Sequence, residues 1–276
     1  SILGLLLIAI AIGLCCKPKE EYPIIEAVYV IKEEKEYQVQ GLGEDFPMKN
    51  RQWVLNNYEA DDSKFPNLYV LGNNSDMYVN GKKTKFQSIV NETGRVVVKI
   101  VVKHPELLNS TRNMFGGCSS LIKASFKNFK KPYIKNMYGT FSWCTNLQEV
   151  DLDINTENMN VLDVLFFGCK NLKQIKGTEN FNMKSLKTME GMFAICSNLT
   201  SVSLKSFNAP NLSSMEMLFL GCKSLTSVEL PDDFKVKNGT LISTMFSQCE
   251  LFPYEIKKKF KPAEMDEEKW KVETAI

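Results

Sequence analysis

Apolar positions in the second half of the chain follow a pattern that repeats about every 26 residues. In one copy, Leu186, Met189 and Met192 are three residues apart, which is the spacing of one buried face of a short helix. The segment 199–204 then alternates apolar and polar positions towards its end, as a strand with one buried face does. Each copy therefore predicts a short helix, a strand and a polar bend.

Each of the six copies also contains a phenylalanine three residues before a cysteine. These pairs are Phe115 and Cys118, Phe141 and Cys144, Phe166 and Cys169, Phe193 and Cys196, Phe219 and Cys222, and Phe246 and Cys249. The cysteines are separated by 26, 25, 27, 26 and 27 residues, and a fixed period in this range indicates a solenoid of stacked coils. We expect the rings and thiols to form a structural core ladder, with all six thiols free and buried.

Three alternatives to this core ladder remain open. The rings could form an exposed row for stacking a ligand, but their place on the apolar stripe disfavours that interpretation. The cysteines could bind metal, but each copy offers one thiol, whereas metal sites usually have two ligands within a few residues. Stacked coils bring the cysteines close enough for disulfides, although parallel side chains in a regular stack argue against them.

Over residues 108 to 252, the phrase Met-Phe-x-x-Cys-x-x-Leu resembles the repeat of the BspA-like leucine-rich-repeat proteins. The resemblance implies an α/β repeat fold, a leucine-rich-repeat solenoid with a parallel sheet on the concave face and short helices on the convex face. It also implies a surface or secreted protein, since several members are adhesins. Thr140 replaces the usual Met, Gly177 interrupts one strand and Pro253 follows the last copy, which are departures from the pattern.

The chain starts with an apolar, uncharged run at residues 1–14, followed by Cys15 and Cys16. The run is shorter than the roughly 20 residues of a bilayer span and suits the apolar part of a signal peptide. It resembles a bacterial lipoprotein signal, which implies lipid attachment at Cys16, because Leu14 is too large to precede a lipidated Cys15. We expect export and a lipid anchor in the cell envelope, at the outer surface; an ordinary signal sequence and a membrane helix are the alternatives.

These patterns divide the chain into four parts: a signal at 1–16, a β-rich region and N-terminal cap at 17–105, a solenoid of about six repeats at 106–252, and a C-terminal cap and charged tail at 253–276. Strands are predicted at 28–31, 67–71, 77–79 and 96–102, with a hairpin turn at Asn80-Gly81. Phe252, Ile256 and Phe260 predict a short helix in the C-terminal cap, with Lys257 to Lys259 as its solvated edge.

If the apolar residues of each predicted strand face the core, the residues between them face the concave side. This gives a candidate binding face of Lys123, Ser125, Glu149, Asp151, Asp153, Gln174, Lys176, Ser201, Ser203, Lys205, Ser227 and Glu229. The face is polar and mixed in charge, and solenoids use such extended faces for binding. Each residue taken singly could equally be a solvated position without a contact role.

The charge balance and residue types of the chain favour binding over catalysis. With 34 basic and 32 acidic residues, the net charge of +2 does not predict nucleic-acid binding. One histidine, His104, and the lack of a phosphate-loop motif predict no catalytic residues, metal site, cofactor or small-molecule substrate. We expect a non-enzymatic, adhesin-like surface protein that binds a protein or glycan outside the cell, with a structural envelope spacer, or an enzyme within residues 17–105, as alternatives.

Overall fold

The computed structural model describes residues 21–31, 71–85 and 94–274, and all elements below lie in those ranges. The strands there are β1 (Ile24–Ile31), β2 (Ser75–Val79), β3 (Lys82–Thr84), β4 (Gly94–Val102), β5 (Leu121–Phe129), β6 (Glu149–Ile154), β7 (Gln174–Lys176), β8 (Ser201–Ser203) and β9 (Ser227–Glu229). The helices that lie wholly within these ranges are α1 (Tyr254–Lys257) and α2 (Glu267–Thr274), with 3-10 turns at Pro105–Leu107, Thr178–Asn180 and Lys258–Phe260. Residues 71–74 are also helical, so the strand predicted at 67–71 is wrong at Leu71, and the rest of that prediction lies outside the described residues. Across the described ranges, every helix is too short or too polar to cross a bilayer.

Seven strands form one mixed sheet in the order β3-β2-β4-β1-β5-β6-β7. The strand β1 pairs antiparallel with β4 on one side and with β5 on the other, whereas β5, β6 and β7 are parallel. The strands predicted at 28–31, 77–79 and 96–102 are confirmed, and Asn80-Gly81 joins β2 to β3 with φ of 47° and 80°. The described part of the β-rich region, in β1 to β4, therefore extends the repeat sheet directly.

The side of each coil opposite the strands consists of consecutive tight turns. Every second backbone N–H donates to the carbonyl three residues earlier, and the N–H groups between them donate to the next coil. In the fourth coil, Ala194 N–H bonds to Gly191 O at 3.0 Å, and Phe193 N–H bonds to Leu218 O at 3.0 Å. An α-helix would direct all these donors to its own carbonyls four residues back. The alternation instead ties each coil to its neighbour through its backbone.

Two residues in every coil have a left-handed backbone, one of them five residues before the cysteine and the other directly before it. They are Asn113, Gly117, Gly139, Trp143, Val164, Gly168, Gly191, Ile195, Met217, Gly221, Thr244 and Gln248. A residue in this conformation ends a right-handed helix, so the apolar spacing of three and four does not produce one. The predicted α/β leucine-rich-repeat solenoid, with a parallel sheet and convex helices, is therefore wrong. The repeats form a stack of strand-and-turn coils in a mainly β structure.

The strand side of the stack divides after β7, because β8 and β9 form a separate parallel pair. Gly177 follows β7 with φ of 94°, and a β-carbon at this position would lie 2.2 Å from the Leu152 carbonyl oxygen. Glycine is therefore required where the chain leaves the sheet. A second parallel ladder of single bridges, through Ser110, Asn136, Val161, Thr188, Ser214 and Leu241, runs through all six coils. This ladder keeps the stack continuous where the sheet divides.

One column of buried phenylalanine rings runs through the centre of the stack. It consists of Phe115, Phe141, Phe166, Phe193, Phe219 and Phe246. Neighbouring ring centroids are 5.4, 5.5, 5.9, 5.5 and 6.0 Å apart, and the ring planes differ by at most 13°. This is the offset-stacked arrangement that aromatic pairs prefer. The column places one ring per coil at the position that the sequence period indicated.

The C-terminal residues cover the last coil. The Trp270 ring packs 6.1 Å from that of Phe246, and Thr244 N–H donates to the Glu273 carbonyl, which continues the bonding between coils. The predicted helix is present as α1 with the 3-10 turn that follows it. Lys257 is not on a solvated edge, however: it is 9% exposed, with Nζ 5.8 Å from the centre of the Phe246 ring. Burial lowers the pKa of this lysine.

Candidate functional site

The strand face is the surface formed by the outward-facing residues of β5 to β9, and it carries the candidate binding residues. Strand pairing places Lys123, Glu149 and Gln174 in one row and Ser125, Asp151 and Lys176 in the next. In the separate pair, Ser201 lies beside Ser227 and Ser203 beside Glu229, and Lys205 follows in a turn. The strands therefore have the predicted register, but the break after β7 divides the candidate face into two parts.

Ion pairs within the strand face neutralise most of its charge. The Glu149 carboxylate lies 3.1 Å from both Lys123 and Lys176, and its pKa is lowered mainly by the hydrogen bond from Lys123. Glu229 accepts a hydrogen bond from the Ser203 hydroxyl at 2.7 Å and lies 3.6 Å from Lys205. Such surface pairs contribute little to the stability of the fold, because solvent and salt screen them. They nevertheless give the carboxylates of Glu149 and Glu229 lysine partners within the protein, and a ligand would have to compete with these lysines.

Two candidate residues of the strand face, Ser125 and Asp153, are part of the packing and hydrogen bonding of the fold. Ser125 is 3% exposed, with the longer residues Glu26 of β1 and Asp151 of β6 on either side of it, so its predicted place on an open face is wrong. Asp153 accepts a hydrogen bond from the backbone N–H of Asn128, which has a left-handed φ of 63°, and it also pairs with Lys130. The Asp153 carboxylate therefore holds an irregularity in β5 in place.

The six repeat cysteines are free thiols buried beside the phenylalanine column. In each of the last five coils, the thiol donates to the carbonyl oxygen of the preceding coil's column phenylalanine. The Sγ–O distances are 2.9 Å for Cys144, 3.0 Å for Cys169, 3.2 Å for Cys196, 3.0 Å for Cys222 and 2.8 Å for Cys249. Burial raises the pKa of all six, to about 11 for Cys249. At neutral pH these groups are protonated, and the thiol form is a poor nucleophile.

The turn face is the outer surface formed in each coil by the six residues that precede the cysteine, and it was not predicted as a site. Six large apolar side chains on it are half-buried or exposed: Trp143, Val164, Phe167, Ile195, Met217 and Leu220. We call this set the turn-face stripe. Its members have a left-handed backbone or adjoin a residue that does, so they fall outside the spacing of the buried residues.

The turn-face stripe has at least one member in every coil from the second to the fifth. The rings of Trp143 and Phe167 are 5.3 Å apart at 65°, in the edge-to-face arrangement of aromatic pairs. A β-carbon at Gly168 would lie 2.7 Å from the indole, so the ring rests directly on the next coil. Trp143 N–H bonds to Phe167 O and Ile195 N–H bonds to Leu220 O, both at 2.6 Å. Backbone bonds between coils therefore fix the relative positions of these side chains.

Three carboxylates adjoin the turn-face stripe: Asp163, Glu190 and Glu216, each six residues before its cysteine. We call them the acidic column. Asp163 accepts hydrogen bonds from Glu190 N–H at 2.7 Å and from the Thr188 hydroxyl at 2.9 Å. Burial raises the pKa of Asp163, and the two hydrogen bonds act in the opposite direction. No ion pair within residues 21–31, 71–85 and 94–274 includes any of the three carboxylates.

Two candidate residues from the sequence remain, Cys16 and His104. Cys16, the predicted lipid attachment site, lies outside the described residues. His104 is exposed, and its Nδ1 lies 3.2 Å from a Glu106 oxygen in a short loop. In the part of the chain that the structure describes, no three His, Cys, Asp or Glu side chains gather as metal ligands would.

A known protein family matches the part of the chain that forms the stacked coils. The family described as "Mycoplasma protein of unknown function, DUF285" matches residues 84–177, 109–227 and 160–270, which together exceed half of the chain. The chain belongs to this family. The three DUF285 matches overlap and shift along the chain by about one and then two repeat periods, as matches to a multi-coil unit would. No curated protein and no solved structure matches the chain.

Proposed function

We propose that this DUF285-family protein is a non-catalytic protein of the cell surface that binds another macromolecule, in an adhesin-like role. The turn-face stripe is the observation that carries this proposal. It presents the Trp143 and Phe167 rings, with four further apolar side chains, partly open to solvent. Extended apolar patches on soluble proteins usually mark interaction sites, and aromatic residues contribute most to the energy of such interfaces.

The rigidity of the stack supports binding at this face. Each coil is joined to its neighbours by backbone hydrogen bonds at alternate residues of the turns, and the phenylalanine column packs beneath them. A surface that is already ordered loses little conformational entropy when a partner binds. The turn-face stripe therefore suits binding better than the strand face, whose carboxylates at Glu149 and Glu229 already have lysine partners.

The proposal places the protein outside the cell, anchored in the envelope by lipid on Cys16. The apolar run at residues 1–14 and the similarity of the repeat phrase to BspA-like surface proteins support this placement. Growth of expressing cells with an alkyne-tagged fatty acid tests it. We expect label on the wild-type chain and on Cys15→Ala, and its loss from Cys16→Ala. Equal label on Cys16→Ala would overturn the anchor assignment and leave the binding proposal to its own test.

Binding is tested with the fluorescently labelled full chain on intact animal cells and on immobilised extracellular-matrix proteins. The test variant combines Trp143→Ser with Phe167→Ser, which removes the aromatic centre of the turn-face stripe. Its control combines Leu251→Ser with Val272→Ser, because these apolar side chains are 60% and 80% exposed and lie outside the stripe. We expect saturable binding by the wild type and the control, and at least a tenfold weaker affinity for the test variant.

Two results of that experiment would contradict the binding proposal. Equal affinity of the wild type and the Trp143→Ser, Phe167→Ser variant would remove the turn-face stripe from any binding role. The lack of saturable binding anywhere on the panel would favour a structural envelope spacer. Matching thermal unfolding midpoints for the variants would show that a lost affinity does not reflect a lost fold.

A further inference from the structure

The turn-face stripe lies next to a row of negative charge, and that combination narrows the kind of partner it fits. The residue that follows each carboxylate of the acidic column belongs to the turn face: Val164, Gly191 and Met217. Backbone bonds join the two sets across coils, since Val164 N–H donates to Glu190 O at 2.8 Å and Gly191 N–H to Glu216 O at 2.8 Å. The stripe and the acidic column therefore form one surface, apolar along one side and anionic along the other.

The acidic column has no ion-pair partner in the part of the chain that the structure describes. Its three carboxylates occupy successive coils; burial is the main cause of the raised pKa of Asp163, and repulsion from Glu190 adds to it. On the strand face, by contrast, Glu149 has two lysine partners within the protein. Like charges in adjacent positions repel one another unless a cation lies between them. A partner that supplies cations at this spacing would remove the repulsion as it binds.

The distances between the phenylalanine rings in the core measure the spacing of the coils, which a partner lying along the turn face would have to match. Between the third and fifth coils, successive phenylalanine centroids are 5.9 and 5.5 Å apart. One turn of an α-helix rises about 5.4 Å, whereas successive same-face residues of a strand lie about 6.6–6.8 Å apart. A helix aligned with the stack therefore presents one residue per coil, and residues i, i+4 and i+7 share one of its sides.

On these grounds we propose that the turn face binds an amphipathic α-helix of a partner protein, with the helix parallel to the stack. This inference rests on the proposed binding function and adds the partner's chemistry. The apolar side of the helix covers the turn-face stripe. Lysine or arginine residues at i, i+4 and i+7 pair with Asp163, Glu190 and Glu216. An anionic membrane surface does not fit, because the acidic column would repel it.

The probes are three synthetic 18-residue helical peptides, whose affinity for the full chain is measured by fluorescence anisotropy. The first has leucine along one side and lysine at i, i+4 and i+7 beside it. The second replaces these lysines with glutamate, and the third scrambles the first while keeping its composition. We expect the lysine peptide to bind at least tenfold more tightly than either of the others, with an affinity that falls as salt is raised.

Charge-neutral variants of the protein locate the contact. The triple variant Asp163→Asn, Glu190→Gln, Glu216→Gln keeps side-chain size and should bind the lysine peptide about tenfold more weakly, with little salt dependence left. The matched control, Glu149→Gln, Asp151→Asn, Glu229→Gln, removes three carboxylates from the strand face and should bind within twofold of the wild type. If Asp163→Asn impairs folding, the pair Glu190→Gln, Glu216→Gln replaces the triple, with roughly a fivefold loss expected.

The outcomes separate this inference from the binding function on which it rests. Equal affinity of the triple variant and its control, or no preference for the lysine peptide, would overturn the helix assignment. In that case, loss of cell or matrix binding by Trp143→Ser, Phe167→Ser would still support the binding function with a different partner chemistry. If the Trp143→Ser, Phe167→Ser variant binds the lysine peptide as tightly as the wild type does, the peptide binds away from the turn face. This result would also overturn the inference.

Discussion

Phe193 shows how one side chain joins three coils. Its ring is fully buried and lies 5.9 Å from the ring of Phe166 and 5.5 Å from that of Phe219, with nearly parallel planes. On the same coil, the Phe193 carbonyl accepts the Cys222 thiol at 3.0 Å. A phenylalanine at this position therefore contributes apolar burial, contacts with both neighbouring rings and a correctly placed acceptor. Leucine would supply the apolar burial and the carbonyl acceptor, but not the contacts with the neighbouring rings.

A double-mutant cycle measures the contribution of ring stacking. We expect Phe193→Leu and Phe219→Leu together to cost less than the sum of their single effects on the free energy of unfolding, because each removes the same ring contact. The coupling should be about 0.5–1.5 kcal/mol, the value for aromatic pairs beyond their burial. Urea denaturation of the wild type, both single variants and the double variant gives this number.

The control for the cycle is the pair Phe193→Leu and Phe115→Leu, since these rings lie three coils apart in the column. Separated sites add within about 0.5 kcal/mol, so no coupling is expected there. Equal coupling in both pairs would show that leucine changes the whole stack, and would remove the evidence for a specific contribution from neighbouring rings.

At the scale of one coil, the left-handed positions decide the structure of the outer side. Glycine adopts this conformation without strain, and Gly139 and Gly191 occupy the position five residues before the cysteine in two coils. Val164 and Thr244 occupy it in two others, with φ of 50° and 53°, although β-branched residues are poorly suited to it. The remaining hydrogen bonds of the coil compensate for this strain, which amounts to about 1–3 kcal/mol per residue.

Replacing Thr244 by asparagine tests this strain. Asparagine tolerates the left-handed conformation and occupies the same position at Asn113, with φ of 52°. We expect Thr244→Asn to increase the free energy of unfolding by about 1 kcal/mol. The control is Thr200→Asn, an exposed position outside the left-handed residues, which should change stability by less than about 0.5 kcal/mol. Destabilisation by Thr244→Asn, measured by urea denaturation, would refute the strain argument.

The same left-handed residues explain which parts of the fold could be predicted from the sequence. The period located the phenylalanine column, because one ring recurs three residues before every cysteine, and alternation located the strand register. The helices were wrongly predicted because Leu186, Met189 and Met192 have a spacing that consecutive turns also produce. No residue type marks the left-handed positions reliably, since valine, methionine, tryptophan and isoleucine occupy them as well as glycine.

The candidate site was predictable only in part, for a related reason. The strand face follows from alternation, but the ion pairs on it depend on side-chain contacts between coils. The turn face was missed because an outer helix would have placed its polar residues there. The sequence does contain one indication of it: Trp143 and Ile195 directly precede cysteines at a position where the other copies have glycine or glutamine, so the period does not mark this position as part of the core. The acidic column also recurs at a fixed distance before three cysteines.

At the scale of the whole molecule, the six buried thiols should lower the free energy of unfolding as the pH becomes alkaline. Burial raises their pKa in the folded protein, whereas the unfolded chain loses these protons near the ordinary cysteine pKa of 9.0. The folded state therefore binds more protons above pH 9, and its stability is fully present below that pH and falls as pH rises. The buried Lys257 acts in the opposite direction, since its lowered pKa favours the folded state as pH approaches 10.5, but it is a single group.

Each buried thiol should reduce the free energy of unfolding by about 1.4 kcal/mol per pH unit above pH 9. Because a domain of this kind is stable by about 5–15 kcal/mol, six such contributions are enough to unfold it between about pH 9 and 11. Urea denaturation at pH 7, 8, 9 and 10 under reducing conditions measures the slope. Cys196→Ala should be less stable at neutral pH but should show a slope that is shallower by about one proton. A urea midpoint that stays constant from pH 8 to 10 would mean that water reaches the thiols, and therefore that the coils do not stack as tightly as the phenylalanine column requires.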